Sequence, residues 1–344
     1  MLKIKKIVLF LLLLCVAMPG FAFATGESSF NAKVIAVGDE YVKVEDSAGM
    51  RFTIENQGLN DYRLKMHEGD KVVVNKLMME DGSENYIIVD FVRRFWVYVL
   101  IGLFIFTVIL ICGWYGFRSL VNLGVTLSVV FFIVIPLILR GWNPVFVSVA
   151  GGILAMVFSI YFLFGINKKA HSILLGIVSA LIIAGVLSSV FVRLLSLTGF
   201  VHDEAVFLVT LGYGHIDMRG LLLAAILIGV LGVVDDLVVN QVSVVQELKQ
   251  SNPKMGTLEL YSSAMRVGRD HTSSMVNTLV LAYAGASFPL MILFVLGQPP
   301  FDSFSSIINN EIVATEIART LVGSISLLLT VPISTFIAVK FYKK

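Results

Sequence analysis

From Phe95 onward this sequence is a succession of apolar runs of bilayer-crossing length, and that pattern leaves few folds open to it. The runs are Phe95 to Ile111, Leu120 to Leu139, Val145 to Phe164, Ile173 to Leu195, Leu221 to Val239, Met275 to Leu296 and Leu321 to Val339. Each is roughly long enough to cross a hydrocarbon core of about 30 Å as a helix. They predict an α-helical polytopic membrane domain of about seven spans over residues 93–344. The shorter apolar stretch from Ala205 to Tyr213, ending in Gly212-Tyr213-Gly214, is too short to cross and reads as re-entrant or interfacial; if it crossed, the topology of everything after it would invert.

Composition agrees. Hydrophobic residues make up 57% and charged residues 15% of the chain, and the mean hydropathy is +0.88, far from a water-soluble domain. The first 24 residues read as a signal peptide: Lys3, Lys5 and Lys6 precede the apolar run Ile7 to Met18, and Ala22-Phe23-Ala24 is an A-x-A cleavage site. Its removal would take the formal net charge from +2 to −1, a balance with no footprint for nucleic acid. It would also remove Cys15 and leave Cys112 alone, so no intrachain disulfide is expected and the cysteines carry no catalytic or metal-site signal.

Between leader and spans, residues 25–92 predict a small extracytoplasmic β domain. Phe30 to Val37, Glu40 to Val44, Met50 to Ile54, Lys71 to Val74 and Tyr86 to Phe91 are short β-branched or aromatic runs separated by turn clusters such as Ser47-Ala48-Gly49, His67-Glu68-Gly69-Asp70 and Asp81-Gly82-Ser83. Five short strands suggest a small barrel, with the OB type as a candidate form. Acidic residues outnumber basic ones by 13 to 7 over 25–92, which argues against the nucleic-acid use of that fold. His67, Glu68 and Asp70 read as a solvated turn rather than a metal site. The domain suits a cap, a spacer or a protein-binding surface.

The leader and the loop charges set an orientation with the β domain outside and the C-terminus in the cytoplasm of a bacterial cell. Arg118, Lys168, Lys169, Lys249, Lys254, Arg266, Arg269, Lys340, Lys343 and Lys344 then fall inside, as the positive-inside rule expects. Arg93, Arg94, Arg140, Arg193 and Arg219 are exceptions, the last two near the compensating His202, Asp203, Glu204 and Asp217.

Most of the unusual chemistry gathers in one polar insert, residues 240–270, and at the edges of the spans beside it. Asp235 and Asp236 end an apolar run, Asn240 and Gln241 follow a turn later, and Arg269, Asp270 and His271 stand before the next run, with Asn277 and Tyr283 inside it. Polar groups against hydrocarbon cost several kcal/mol unless paired or facing protein or water, so they mark pathways or packing contacts. The pattern predicts one helix of about 30 residues from Met218 to the stop at Asn252-Pro253. A second helix, capped by Thr257, would be amphipathic and lie along the membrane surface. Asp236 and Arg269 would then meet at the inner interface.

The blocks GVLGVVDDLVVNQVSVVQELKQSNP, ELYSSAMRVGRDH and VNTLVLAYAGASFPLMILF resemble the hallmark segments of the YibE/F-like family of bacterial multi-pass membrane proteins. The resemblance implies an integral protein of the bacterial cytoplasmic membrane, of a kind described as a transporter or permease. On the family pattern the matching polar positions are Asp236, Gln241, Glu247, Arg269, Asp270, Asn277 and Tyr283, with Asn240 where a threonine is more usual.

Two functions compete. In a transporter, Asp235, Asp236, Asn240, Gln241, Arg269, Asp270, Asn277 and Tyr283 would line or couple a path. In a scaffold or receptor they would be structural: the adjacent aspartates face about 100° apart and cannot share one partner, Arg269-Asp270 would anchor a helix end, and Asn277 would make an interhelical hydrogen bond. No G-x-S-x-G, H-E-x-x-H or phosphate-loop motif occurs, so no catalytic residue, cofactor or metal is expected. The expected partners are the lipid bilayer and a membrane or extracytoplasmic protein.

Overall fold

A computed structural model describes residues 29–38, 40–55, 65–78, 84–201 and 203–343. The leader with Cys15 and its cleavage site, the Asp81 to Ser83 turn and His202 lie outside the described residues. The described residues fall into two compact units, one ending at Phe117 and one from Arg118 onward.

The first unit holds five strands, β1 (Ser29–Val37), β2 (Tyr41–Asp46), β3 (Arg51–Glu55), β4 (Lys71–Met78) and β5 (Glu84–Phe91), in the order β3-β2-β1-β4-β5. Every pairing is antiparallel. Period-2 alternation turns Ala32, Val34, Val42, Val44, Ile54, Val72, Val74 and Ile88 inward. Bulges between Val34 and Ala36 and between Val73 and Val74 curl the sheet into a half-barrel. Phe30, Phe52 and Tyr86 close one end of this core, with ring centroids 4.8 to 6.1 Å apart. At the β2–β3 turn, Gly49 sits at φ 84, while the Asp46 carboxylate accepts from the Ala48 and Met50 amides at 2.8 Å. At the expected turn from His67 to Asp70, the Asp70 carboxylate likewise accepts from the His67 amide at 2.8 Å.

Helix α1 (Arg94–Val129) begins in this unit and runs on through a π-turn, Val130–Val134, into α2 (Ile135–Leu139). No loop separates the first two expected spans. Arg94–Leu139 is instead one helical stretch of 46 residues, broken at Gly113, whose φ of 55 and ψ of −133 are non-helical. The second unit continues with α3 (Pro144–Phe164), α4 (Lys168–Leu194), the short α5 (Asp203–Leu208) with a π-turn to Tyr213, α6 (Met218–Ser251), α7 (Thr257–Ala286), α8 (Phe288–Leu296), α9 (Phe304–Asn309) and α10 (Glu311–Tyr342). Asn143, Asn167 and Asn310 cap α3, α4 and α10 through their side chains. Among the described residues five helical stretches are long and apolar enough to cross a membrane, six if the bent pair α7 and α8 counts as one. The stretch from Asp203 to Tyr213 is about 16 Å long, too short to cross, and packs through Ala205, Leu208 and Tyr213 on a cluster around Ile138 and Val147.

Helices α4, α6 and α10 form the centre, with α3 and α7 against them. On α4, Ser172, Gly176, Ala180, Ala184 and Ser188 recur every four residues and are all buried; on α10, Ser326, Thr330, Ser334 and Ala338 do the same. Small side chains let backbones approach where lipid offers no hydrophobic drive for association. A Cβ on Gly176 would sit 2.6 Å from Val238 Cγ1 and 3.4 Å from Ser334 Cβ, so a larger residue there meets both neighbouring helices.

The expected surface helix is not a separate element. Residues 257–270 and the span after them are one continuous helix, α7, because Leu260, Ala264, Gly268 and Thr272 put their face into the bundle against α6 and α10 rather than against lipid headgroups. Its N-cap is Gly256, with no side-chain cap. The expected span from Met275 to Leu296 is also not straight: α7 and α8 bend by 69° at Ser287, where Pro289 in the first turn of α8 lacks the N–H that continuity needs.

The β core is self-contained, so residues 25–92 alone should fold. Glu84 is held below its usual pKa by hydrogen bonds from Lys76 and then Tyr86, which adds stability above the unfolded carboxyl range that is lost as the pH falls through the lowered value. Circular dichroism of the fragment is expected to show a β spectrum at neutral pH and a lower melting temperature in acid. A random-coil spectrum would contradict it.

Candidate functional site

Gln241 is a buried side-chain amide that joins three helices of the helical unit. It is 3% exposed, and its amide nitrogen donates to Ala264 O on α7 at 3.1 Å and to Thr335 Oγ1 on α10 at 2.6 Å. Thr335 Oγ1 donates in turn to Val331 O at 2.7 Å. Three helices thus meet on one amide, and Gly268 makes room for it: a Cβ there would lie 2.7 Å from Gln241 Oε1 and 2.9 Å from Val331 Cγ1.

The other expected residues arrange themselves around this junction. One residue before Gln241, Asn240 faces outward and its Nδ2 lies 3.3 Å from His271 Nε2. Asp236, a turn earlier, is exposed and within electrostatic reach of the same imidazole. Asp235 points elsewhere, as the 100° helical step requires; its Oδ1 is buried and has no hydrogen-bond partner among the described residues. A single buried acceptor of this kind is expensive to leave unpaired.

The expected pairing of Asp236 with Arg269 does not form. Among the described residues no ion pair joins them. Gly268 and Thr272 occupy the contact face of α7, so Arg269 is turned off it and His271 is the residue presented to α6. Arg269 instead lines a cavity of about 220 Å³ with Thr272, Ser273 and Asn277 on α7 and Leu328 and Val331 on α10. Asp270 and Asn277 are exposed. Tyr283 is half-buried, with its hydroxyl 3.2 Å from where a Cβ on Gly229 would lie.

Two charged residues near Tyr283 escaped the sequence reading. Arg319 Nη1 pairs with Glu316 Oε1 at 3.3 Å, both mostly buried, and both lie within electrostatic reach of the Tyr283 hydroxyl. Starting the last span at Leu321 had placed this pair outside it; an opposite-charge i,i+3 pair in a helix was the available signal. The opposite carboxylate, Glu311, accepts from Thr198 Oγ1 at 2.9 Å and the Gly199 amide at 3.3 Å, tying the α4–α5 loop to the start of α10. Arg219 is held by Leu197 O at 3.0 Å rather than by the acidic neighbours expected to compensate it.

If the Gln241 amide joins the helices as described, Gln241→Leu and Thr335→Val should be coupled. Interhelical hydrogen bonds in membranes average about 0.6 and reach about 1.7 kcal/mol. A double-mutant cycle on detergent unfolding is expected to give a non-zero interaction; strictly additive losses would show that the contact carries no weight.

No curated protein and no solved structure matches the chain. The model of the YibE/F-like protein family matches residues 100–344, a span that takes in every helix of the second unit. With its apolar helices, the Gln241 junction and that match together, the chain is a multi-pass membrane protein that belongs to the YibE/F-like family.

Proposed function

We propose that this protein carries a small polar or ionic solute across the bacterial cytoplasmic membrane. The observation that supports this reading is the cavity between α7 and α10, where Arg269, Ser273 and Asn277 keep a polar strip on a membrane helix. Charged and amide side chains on a membrane helix are retained where they meet water, solute or protein. Asp235, with a carboxylate oxygen buried and unpaired, is the proton-carrying group of this reading. The sequence carries no phosphate-loop motif, and on this reading the energy comes from an ion gradient or from another subunit.

The topology that goes with it has seven spans, the β domain outside and the C-terminus in the cytoplasm. A straight helix of 46 residues would be about 69 Å long, more than twice a hydrocarbon core of about 30 Å, so Arg94–Leu139 counts as two spans parted at Gly113. The strand order and the bulged, curled sheet support an OB-like, partly open barrel for the outer domain.

A second reading rests on that domain. A cleft of about 730 Å³ opens on it beside Asn31, Lys33, Glu45, Asp70 and Arg94, a mixed-charge surface suited to a protein partner, as a non-transporting scaffold or receptor would require.

Reconstituted vesicles with an internal pH dye separate the two. The transport reading expects a dissipating proton gradient to drive measurable proton movement through the wild type. It expects Asp235→Asn with Asp236→Asn to reduce that movement several-fold at unchanged protein abundance. Equal traces for wild type, double variant and empty vesicles would remove it in favour of the scaffold.

A further inference from the structure

Helices α3, α4 and α6 meet at another cavity, at the opposite end of the bundle from the Gln241 junction. Arg219 stands about 33 Å along α6 from Gln241, the full depth of a hydrocarbon core of about 30 Å. The cavity has a volume of about 650 Å³, and Arg219 at the start of α6 and Arg193 in the last turn of α4 line it together with Asn143, Ser189 and Asp217. Lys168 at the start of α4, Lys249 near the end of α6 and Lys340 near the end of α10 mark the other end of the bundle as the basic one. Loop charge therefore gives no reason for two arginines here.

The protein leaves most of their donors unused. Among the described residues Arg193 makes no hydrogen bond or ion pair, and Arg219 gives only its Nε–H, to Leu197 O. The neighbouring carboxylates do not pair with them. Asp217 lies over the first turn of its own helix, where a Cβ on Gly220 would come within 2.6 Å of its Oδ2, and Glu311 is taken up by Thr198 and Gly199. Asn143 turns its Oδ1 to the Phe146 amide at 3.0 Å, which leaves its Nδ2 as a further donor. Two guanidinium groups and an amide thus stand against one carboxylate in the lining, a set that fits a singly charged oxyanion such as a phosphodiester.

The walls of the cavity select among oxyanions. Phe146 is 64% exposed, and with Val145, Val149 and Leu223 it carries the lining from the helix ends toward the middle of the spans. A free water-soluble anion gains nothing from such a wall, whereas a phospholipid lays acyl chain on it while its phosphate reaches the arginines. We propose that the Arg193 and Arg219 cavity binds the phosphodiester headgroup of an anionic phospholipid, at a site separate from the cavity between α7 and α10 and independent of the transport reading.

The test titrates phosphatidylglycerol into the detergent-purified full chain and reads the rise in melting temperature over each chain's own lipid-free value. Arg193→Gln is the informative variant, because Arg193 has no partner in the protein to lose. Arg140, at the same end of the bundle beside the His215 contact to Leu139 O, does not line the cavity, so Arg140→Gln controls for general attraction of anionic lipid. The lipid concentration that gives half the rise is expected to be several-fold higher for Arg193→Gln and unchanged for Arg140→Gln. Phosphatidylcholine, whose phosphate is balanced by its own cation, is expected to raise the melting temperature less. Equal titrations for all three chains, equal weakening in both variants, or an equal rise with phosphatidylcholine overturns the site. If glycerol phosphate, which has no acyl chain, matches phosphatidylglycerol at the same concentration, the ligand is a free oxyanion and the lipid is overturned.

Discussion

One buried amide sets the geometry of the helical unit. Gln241 binds Ala264 on α7 and Thr335 on α10 from its place on α6, and it can do so only because Gly268 brings the α7 backbone against it. The interaction is modest in free energy, as hydrogen bonds between membrane helices are, but it fixes rotation. Once Gly268 and Thr272 face inward, the 100° step of the helix sends Arg269, Ser273 and Asn277 to one side and Asp270, Ser274 and Thr278 to the next. The position of every candidate residue on α7 follows from that rotation.

The same rotation explains why Asn240 and Asp236 find His271 and not Arg269. It also leaves the small residues Ala282, Gly285 and Ala286 exposed, although the sequence marks them for close helix packing. In the central trio of helices the equivalent small residues are used: Ser172, Gly176 and Ala180 on α4 and Ser326, Thr330 and Ser334 on α10 are buried. The stripe on α4 is used inside the bundle, whereas the one on α7 is exposed.

Much of this was legible beforehand. Apolar runs located the membrane helices, and alternation with turn clusters located all five strands, because both signals are local. Asn252-Pro253 ended α6 where expected for the same reason. Hydropathy could not separate an amphipathic surface helix from one whose apolar stripe enters a bundle, since Leu260, Ala264 and Gly268 make the same periodic pattern in either setting; only the long-range contact with Gln241 and Val331 decides. Nor could it show that Arg94–Leu139 lacks a loop, because Arg118 looks alike in a loop and on a helix. Gln241 was picked out as a polar residue at a span edge, yet its role as a three-helix junction depends on Thr335, 94 residues away. Glu316 and Arg319 were passed over because their mutual pairing lowers the penalty that would otherwise keep charges out of an apolar helix.

The central claim is that the Gln241 junction turns the Arg269, Ser273 and Asn277 strip toward a water-accessible path. Its most direct measurement is single-cysteine accessibility along α7 in intact membranes, with a charged, membrane-impermeant thiol reagent applied from either side. The account predicts labelling at Ser273→Cys and Asn277→Cys, protection at Ala264→Cys and Thr272→Cys, and loss of that period when Gln241→Leu is added. Labelling only by lipid-soluble reagents at Ser273→Cys and Asn277→Cys would place the strip against hydrocarbon and contradict it.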